Sequence, residues 1–341
     1  MALRPELTPS LARMVISRGK STPFPIKWFA IGQCWRYERM TRGRHREHYQ
    51  WNMDILGVNE IDGEGELIAA IVHFFKSVGL TSEDVCIKYS SRRVLQAVLD
   101  GFGVHSSKFS AVAIIVDKLD KLPREAIIDE IMKQGITREV CSGIISALSP
   151  DVKLSDLSNT LPQCATSTLA IDDLITLNSI AMSYGIEDWL DFDASTVRGL
   201  SYYTGIVFEA RDREGRFRAI CGGGRYDKLL DTYGCKDPIP ACGFGLGDAV
   251  ICDILQEKGL LNVEPYVIDD VVFCAGNRAT GAKVANSLRQ EGRRVDFLLG
   301  KKSKKWAFKH AERVRARRLV LIDENGNTST KELKIDNRTK C

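Results

Sequence analysis

The sequence predicts an α+β fold: an antiparallel sheet flanked by helices, interrupted by a helical insertion and followed by a small α/β domain. Alternating polar and apolar residues, typical of antiparallel strands with one buried face, occupy 29–57 and return from residue 188. From residue 264 onward, short apolar strands alternate with helix patterns, which indicates a compact unit with parallel strand pairing.

These patterns divide the chain into four segments. We expect 1–100 and 166–263 to form two parts of one sheet domain, 101–165 to be the helical insertion, and 264–341 to be the C-terminal domain. Amphipathic helix patterns within them span 66–80, 172–185, 279–291 and 303–316.

The first strand pair has one apolar and one polar face. It consists of "FAIGQCWRYERM" and "HYQWNMDILG", joined by an arginine-rich loop. The period of two places these side chains on the polar face: Arg36, Glu38, Gln50, Asn52 and Asp54. An arginine, amides and carboxylates in register fit a charged substrate, although a polar face can also simply contact water.

Glycine-rich segments follow later in the chain. Strand patterns at 202–211 and 216–221 predict a hairpin through "DREG", after which Gly222, Gly223 and Gly224 lead into a helix. In "CGFGLGDAVICDIL", alternate glycines leave one face without side chains. Such segments let a backbone approach another group closely, but they match no nucleotide-binding fingerprint.

Composition and cysteine spacing exclude several classes of protein. No run approaches 18 apolar residues, so the sequence predicts no membrane span, and the first residues lack the apolar block of a secretory signal. None of the 10 cysteines forms a Cys-x-x-Cys pair, so we expect no metal site. Reduced thiols in an intracellular compartment fit this pattern.

The charge is unevenly distributed. Residues 271–341 hold 18 Lys and Arg against 7 Asp and Glu, a balance of +11, whereas the whole chain carries only +4. This asymmetry predicts either a polyanionic partner for the C-terminal end or a solvated basic face.

Four segments, in this order, resemble the histidyl-tRNA synthetase family of class II aminoacyl-tRNA synthetases: "LRPELTP", "WRYERMTRGRHREHYQWNMDILG", "RGLSYYTG" and "GGGRYDKLL". The resemblance covers most of the chain, and "RGLSYYTG" is its most specific part because it is similar to the histidine-binding motif of that family. "LRPE" is similar to the bacterial and organellar branch.

The resemblance implies a class II catalytic sheet, a C-terminal anticodon-binding domain, and ligation of L-histidine to tRNA(His) through histidyl-adenylate. It also implies ATP with Mg²⁺, a homodimer, no membrane association, and a location in the cytoplasm or the plastid or mitochondrial matrix.

The resemblance further assigns roles to individual residues. Arg36 and Arg198 are the implied catalytic residues, at the α-phosphate of ATP. Glu38 and Arg44 would hold adenine and the γ-phosphate side, so that the implied ATP-binding set is Arg36, Glu38, Arg44 and Arg198. The implied histidine-binding set is Glu6, Leu7, Thr8, Gln50, Asp54, Tyr202 and Tyr203. Glu6, Thr8 and Gln50 would hold the α-amino group, while Asp54 and Tyr203 would contact the imidazole nitrogens.

Two departures from the family pattern affect these expectations. Motif 3 usually carries an arginine that binds ATP, and this chain has Val250 there, with no cation before Lys258. Either another cation such as Arg225 compensates, or ATP affinity is reduced, or activity is lost. Family members also carry motif 1 upstream of "LRPE", and this sequence begins after it, so we expect the dimer of a longer form.

Two non-catalytic functions are alternatives to the ligase. One is a histidine-binding regulatory subunit, which usually lacks the basic C-terminal domain and the intact tyrosine motif. The other is a tRNA-binding sensor, favoured by the loss of the motif 3 arginine but not by the retention of Arg36, Arg198 and both tyrosines.

Overall fold

The computed structural model describes residues 2–119, 122–199, 202–261 and 268–333. These residues form two compact units, Met1–Leu261 and Asn262–Cys341. Each unit has its own sheet and its own buried core. The predicted boundary at residue 264 and most of the terminal "KELKIDNRTKC" segment lie outside the described residues.

The first unit is built on a seven-stranded sheet with the order β1-β2-β7-β6-β5-β3-β4. Neighbouring strands are antiparallel except for β3 and β4, which are parallel. The strands are β1 (Ile26–Trp35), β2 (Glu47–Leu56), β3 (Val85–Ser91), β4 (Leu190–Phe192), β5 (Ile206–Asp212), β6 (Cys221–Arg225) and β7 (Ala241–Gly247). This α+β architecture confirms the predicted fold class.

The helices of the first unit pack on this sheet or form the insertion. They are α1 (Thr8–Arg18), α2 (Asp62–Ser77), α3 (Arg92–Gly101), α4 (Phe109–Val116), α5 (Arg124–Met132), α6 (Arg138–Ala147), α7 (Leu157–Thr160), α8 (Ala165–Tyr184), α9 (Leu229–Thr232) and α10 (Asp248–Glu257). Short 3₁₀ turns span Gly19–Ser21, Ser106–Lys108, Leu154–Asp156 and Glu187–Trp189. Leu67, Ile71 and Phe75 of α2 are fully buried in a core that includes Phe208 and Phe244 of the sheet.

The first two strands form the predicted hairpin. β1 pairs with β2 from Ile26 opposite Leu56 to Trp35 opposite Glu47. The polar face of β2 is largely shielded from solvent, because Gln50, Asn52 and Asp54 are at most 9% exposed. A buried polar face requires partners, so the reading of this face as merely solvated is wrong.

The glycine triplet lies in a strand and not after one. Gly222 and Gly224 in β6 pair with Gly245 and Gly243 in β7. A Cβ on Gly223 would lie 2.4 Å from the carbonyl oxygen of Gly243, so the close approach of the two backbones requires glycine there. The expected strand at 216–221 is therefore wrong: residues 213–220 form a loop between β5 and β6.

The alternation in β7 separates the core from an open face. Phe244 and Leu246 are buried in the core, while Gly243, Gly245 and Gly247 face the other side. A sheet with one glycine-lined face has a shallow floor on which a flat ligand can lie.

The second unit has a four-stranded sheet with the order β11-β10-β8-β9. Its elements are β8 (Asp270–Cys274), α11 (Arg278–Gln290), β9 (Val295–Phe297), α12 (Lys304–Arg313), β10 (Arg318–Ile322) and β11 (Thr328–Glu332). β8 is parallel to both β9 and β10, and β10 pairs antiparallel with β11. The parallel pairs match the expectation from sequence.

Other global expectations can be compared with the described residues. Among them, no helix is long and apolar enough to cross a membrane. Nine cysteines within these ranges have free thiols. The described part of the chain also contains no group of three or more His, Cys, Asp or Glu side chains that could hold a metal ion.

Candidate active site

A polar cleft of about 910 Å³ lies over the glycine floor of the first unit. Its walls come from the segment before α1, the β1–β2 hairpin with its loop, the stretch before β5, and the 213–220 loop. Gly222, Gly243, Gly245 and Gly247 form the floor.

The structure brings most of the sequence-predicted site residues together in this cleft. The residues that line it are Glu6, Thr8, Arg36, Glu38, Arg44, Gln50, Arg198, Tyr202 and Tyr203. Leu7 and Asp54 are both buried, at 8% and 5% exposure, and lie behind the lining residues. Leu200 and Ser201 of the "RGLSYYTG" motif lie outside the described residues.

The segment before α1 is held against the end of β1. The backbone amide of Trp35 donates to the carbonyl oxygen of Arg4 at 2.9 Å, and Nε of Arg36 donates to the carbonyl oxygen of Pro5 at 2.9 Å. These bonds present Glu6 to the cleft, where its Oε2 accepts a hydrogen bond from the Tyr202 hydroxyl at 3.3 Å.

A chain of polar side chains crosses the floor from Arg36 to Thr8. Nη2 of Arg36 lies 3.5 Å from Oε1 of Gln50, whose Nε2 donates to Oδ1 of Asn52 at 2.8 Å. Nδ2 of Asn52 then lies 3.5 Å from Oγ1 of Thr8. Gln50 and Asn52 are thereby fixed in orientation, because each amide has a defined donor and acceptor side.

Arg198 lies flat on the floor. Its guanidinium pairs with Glu209, which also accepts from Nε of Arg211 at 2.5 Å. A Cβ on Gly222 would lie 2.3 Å from Cζ of Arg198, so the side chain rests directly on the glycine. The backbone of Arg198 has a φ of 56°, and its buried Nε has no hydrogen-bond partner among the described residues. A strained backbone and an unpaired buried donor both indicate a residue arranged for a ligand.

Asp54 and Tyr226 lie next to the cleft wall formed by Tyr202 and Tyr203, and burial shifts the pKa values of all four residues. The Tyr226 hydroxyl donates to Oδ1 of Asp54 at 2.5 Å. Burial raises the pKa of Asp54 to about 7, and the hydrogen bond from Tyr226 opposes this rise. Burial also raises the pKa values of Tyr202, Tyr203 and Tyr226, so all three hydroxyls keep their protons at neutral pH and can donate hydrogen bonds.

The arginine-rich loop between β1 and β2 closes one end of the cleft. Glu38 forms an ion pair with Arg44 inside this loop. Arg42 pairs with Glu257 on α10, which also accepts from Nη1 of Arg216 at 3.0 Å. The loop 36–46, called the motif 2 loop below, and the 213–220 loop are thus tied to the same carboxylate.

Arg225 is not available to ATP, so, of the alternatives that the sequence leaves open, replacement of the motif 3 arginine by Arg225 is wrong. Its side chain is 4% exposed and forms two 2.6 Å bonds to Glu64, besides bonds to the carbonyl oxygens of Val58 and Glu60. Lys258 pairs with Asp84 and does not line the cleft.

Several residues of the cleft were not singled out from sequence. They are His48, Glu209, Arg211, Arg216, Arg218 and Tyr226. Tyr226 lies within the "GGGRYDKLL" segment, and period-two alternation from Arg211 could have indicated Glu209. The others reach the cleft through loop geometry, for which the sequence has no periodic signal. Burial and the charge of Arg36 lower the pKa of His48, which is therefore neutral at pH 7.

Comparison with known proteins agrees with this geometry. A sequence profile of the family described as "Histidyl-tRNA synthetase" matches residues 1–248. The chain is 53% identical over 339 residues to the chloroplastic/mitochondrial histidine–tRNA ligase of Arabidopsis thaliana, covering 98% of this chain and 69% of that protein. It is 33% identical over 347 residues to the histidine–tRNA ligase of Halobacterium salinarum, covering 99% and 79%.

A solved structure shares the fold. The histidyl-tRNA synthetase of Nostoc sp. PCC 7120 superposes with a TM-score of 0.75 at 24% identity, covering 97% of this chain and 81% of that one. The superposition shows the fold, whereas the profile match and the two relatives show the family. The chain belongs to the histidyl-tRNA synthetase family.

Proposed function

We propose that this protein is a histidine–tRNA ligase that activates L-histidine with ATP and transfers it to tRNA(His). The observation that carries the proposal is that Arg36, Arg198, Gln50 and Tyr203, from separate parts of the sequence, line one cleft over a glycine floor. The relatives that bear the ligase name match nearly the whole chain.

The activation step joins two anions. The histidine carboxylate attacks the α-phosphorus of ATP, the bond to the bridging oxygen breaks, and pyrophosphate leaves, so that histidyl-adenylate forms. Arg36 and Arg198 lie where they can neutralise charge on the carboxylate and the α-phosphate. Preorganised cations of this kind stabilise the transition state without forming a covalent bond to the substrate.

The transfer step uses the adenylate as an activated acyl group. A hydroxyl at the 3′ end of the tRNA attacks the carbonyl carbon, and AMP leaves with the electron pair of the broken bond. The tRNA end would enter the same cleft to reach the adenylate.

The polar side chains that line the cleft can recognise histidine. Glu6, Thr8 and Gln50 supply acceptors for the α-ammonium group, and the tyrosine hydroxyls supply donors to an unprotonated imidazole nitrogen. Tyr226 stands between Asp54 and the cleft, so we assign Asp54 an indirect role through Tyr226 in place of direct contact with imidazole. A site with polar partners for both ring nitrogens rejects apolar isosteres, since their binding would leave buried groups unpaired.

Mg²⁺ fits this site as a companion of ATP. Glu38 and Glu209 are cleft carboxylates, and both are engaged by arginines. The donor set suits an ion that is bound mainly through phosphate oxygens and water, which is how Mg²⁺ usually accompanies nucleotides. Bound there, the ion would offset phosphate charge.

The second unit is the proposed tRNA-binding unit, corresponding to the anticodon-binding domain that the resemblance implies. Lys301, Lys302, Lys304 and Lys305 are exposed around the start of α12. Such a cluster suits phosphate contacts, which supply affinity, whereas anticodon bases would be read by stacking and hydrogen bonding.

A homodimer is the proposed assembly. β1 is an edge strand, and its Phe29 and Ile31 are 71% and 67% exposed. Large apolar side chains on an exposed edge favour coverage by another chain. Light scattering on this chain and on a form extended upstream tests this, and a monomer of the extended form at micromolar concentration would contradict it.

The proposed compartment is a reducing one. Free thiols fit it, and the name of the Arabidopsis relative favours the plastid or mitochondrial matrix. Localisation of a fluorescent fusion of the complete gene product tests this proposal.

Histidine-dependent exchange of pyrophosphate into ATP tests the activation step, and charging of tRNA(His) tests the transfer. We expect both, with Arg36→Ala and Arg198→Ala each reducing exchange at least a hundredfold. Tight tRNA binding without exchange would indicate the sensor alternative. Histidine binding without exchange or tRNA binding would indicate the regulatory alternative.

A further inference from the structure

Val250, which stands at the position of the missing motif 3 arginine, lines the cleft and contacts the motif 2 loop. A Cβ built on Gly43 would lie 2.9 Å from Cγ2 of Val250, so this loop packs directly on the valine. Val250 is 6% exposed. Val250 brings no charge to this part of the cleft, so a cation for the outer phosphates must come from another residue.

Most arginines of the cleft already have partners in the protein. Arg36 donates to Pro5 and Gln50, Arg44 pairs with Glu38, Arg198 and Arg211 share Glu209, and Arg216 pairs with Glu257 and Glu214. Arg218 differs: within the described ranges it has neither an ion pair nor a hydrogen bond, although it lines the same cleft.

The loop that carries Arg218 is anchored. Phe217 is 9% exposed and packs against two guanidinium groups, with Cζ of Arg42 at 4.5 Å and Cζ of Arg216 at 5.5 Å from its ring centroid. Glu257 binds both of these arginines. The residue next to Phe217 is thus presented to the cleft from a fixed backbone while its own side chain is exposed.

We propose that Arg218 binds the β- and γ-phosphates of ATP in place of the motif 3 arginine that this chain lacks. The inference rests on the proposed function, because it assigns a contact within the same ATP site. Arginine suits this role since its planar guanidinium can form paired hydrogen bonds to phosphate oxygens.

Electrostatics supports the position of Arg218. Partial shielding from water within the cleft and the neighbouring charge of Arg44 lower the pKa of Arg218, while Glu38 raises it. Arg218 is therefore within electrostatic reach of the two motif 2 residues expected at adenine and the γ-phosphate. An incoming polyphosphate would bring together two arginines that otherwise repel each other.

Binding of ATP and of AMP, measured by calorimetry without histidine, tests this contact directly. Because AMP lacks the outer phosphates, Arg218→Ala should weaken ATP binding about tenfold and leave AMP binding within twofold. Arg218→Lys should recover part of the loss. Arg39→Ala is the matched control, since Arg39 is an exposed arginine of the motif 2 loop that does not line the cleft.

In the exchange assay, Arg218→Ala should raise KM for ATP about tenfold, with KM for histidine within twofold of the unsubstituted chain. Unchanged ATP affinity, or equal loss of ATP and AMP affinity, would overturn the role of Arg218. A chain that binds both nucleotides but shows no exchange would overturn the proposed ligase alone, because the comparison of ATP with AMP still decides the contact. A chain that binds neither nucleotide would overturn both.

Discussion

Asp54 illustrates how one buried carboxyl couples the candidate site to stability. Its reference pKa is 3.8 and its folded value about 7, raised by burial. Between these values the folded protein holds a proton that the unfolded chain has lost. The free energy of unfolding therefore decreases as pH rises through this window, by at most about 1.4 kcal/mol per pH unit from this group.

Asp54→Asn removes this titration while keeping an oxygen to accept from Tyr226. The difference in the free energy of unfolding between the variant and the unsubstituted protein should therefore shift in favour of the variant from pH 5 to pH 8. Urea unfolding at both pH values measures it. Tyr226→Phe removes the hydrogen bond that lowers the pKa of Asp54. In this variant the decrease in the free energy of unfolding should therefore continue to higher pH. A stability difference between the Asn variant and the unsubstituted protein that is equal at both pH values would disprove this account.

Gly222 is constrained by the side chain above it. A methyl group at this position would occupy the place of the Arg198 guanidinium. We expect Gly222→Ala to reduce pyrophosphate exchange about a hundredfold. The double variant with Arg198→Ala should be no worse than Arg198→Ala alone, because both remove the same contact.

Gly247→Ala is the matched control for this effect. Its Cβ would meet only Cδ2 of His48, at 3.7 Å, and its backbone is in the extended region. We expect a loss of less than tenfold. An equal loss of exchange activity in both glycine variants would mean that a methyl group anywhere on the glycine floor reduces activity. The contact between Gly222 and Arg198 would then have no special role.

At the scale of elements, two loops and one helix meet at Glu257. Its carboxylate binds Arg42 of the motif 2 loop and Arg216 of the 213–220 loop, and all three side chains are partly exposed. Exposed ion pairs add little to global stability, typically below about 1 kcal/mol. Here these ion pairs hold two loops over one cleft.

Glu257→Ala should leave the free energy of unfolding within about 1 kcal/mol of the unsubstituted protein. It should raise KM for ATP several-fold and accelerate tryptic cleavage within 36–46. Glu214→Ala is the control, because Glu214 pairs with Arg216 at 2.7 Å without joining the two loops. Equal cleavage rates in both variants would show that Glu257 does not hold the motif 2 loop.

At the scale of the whole molecule, charge is divided between the two units. The last 71 positions, 271–341, carry 18 Lys and Arg, whereas the catalytic cleft balances most of its arginines with internal carboxylates. A long polyanion with a reactive end is the type of substrate that fits one basic unit and one polar cleft. Salt should therefore affect tRNA binding far more than amino acid activation.

Replacing Lys301, Lys302, Lys304 and Lys305 by Gln should weaken tRNA(His) binding and reduce its dependence on salt. Each lost phosphate contact lowers the slope of log K against log[salt] by about 0.7 to 0.9. The four Lys→Arg replacements should keep the slope, and pyrophosphate exchange should not change in either variant. An unchanged slope in the Gln variant would place the tRNA contacts elsewhere.

The residue patterns alone determined the main outlines of the protein. Period-two alternation predicted the β1–β2 hairpin, and alternate glycines predicted a bare sheet face, because side-chain direction in a strand follows position. The motif "RGLSYYTG" was not needed for those two predictions; it indicated the family and which arginines and tyrosines to expect at the site.

Only the tertiary structure decided which charged side chains can contact a ligand in the cleft. Arg225 and Arg218 are seven positions apart, yet one is buried against Glu64 and the other lines the cleft without a partner among the described residues. Likewise Asp54 lies behind Tyr226 and not at the surface of the cleft. Burial and ion pairing arise from contacts between distant segments, so no local pattern in the sequence could have separated these cases.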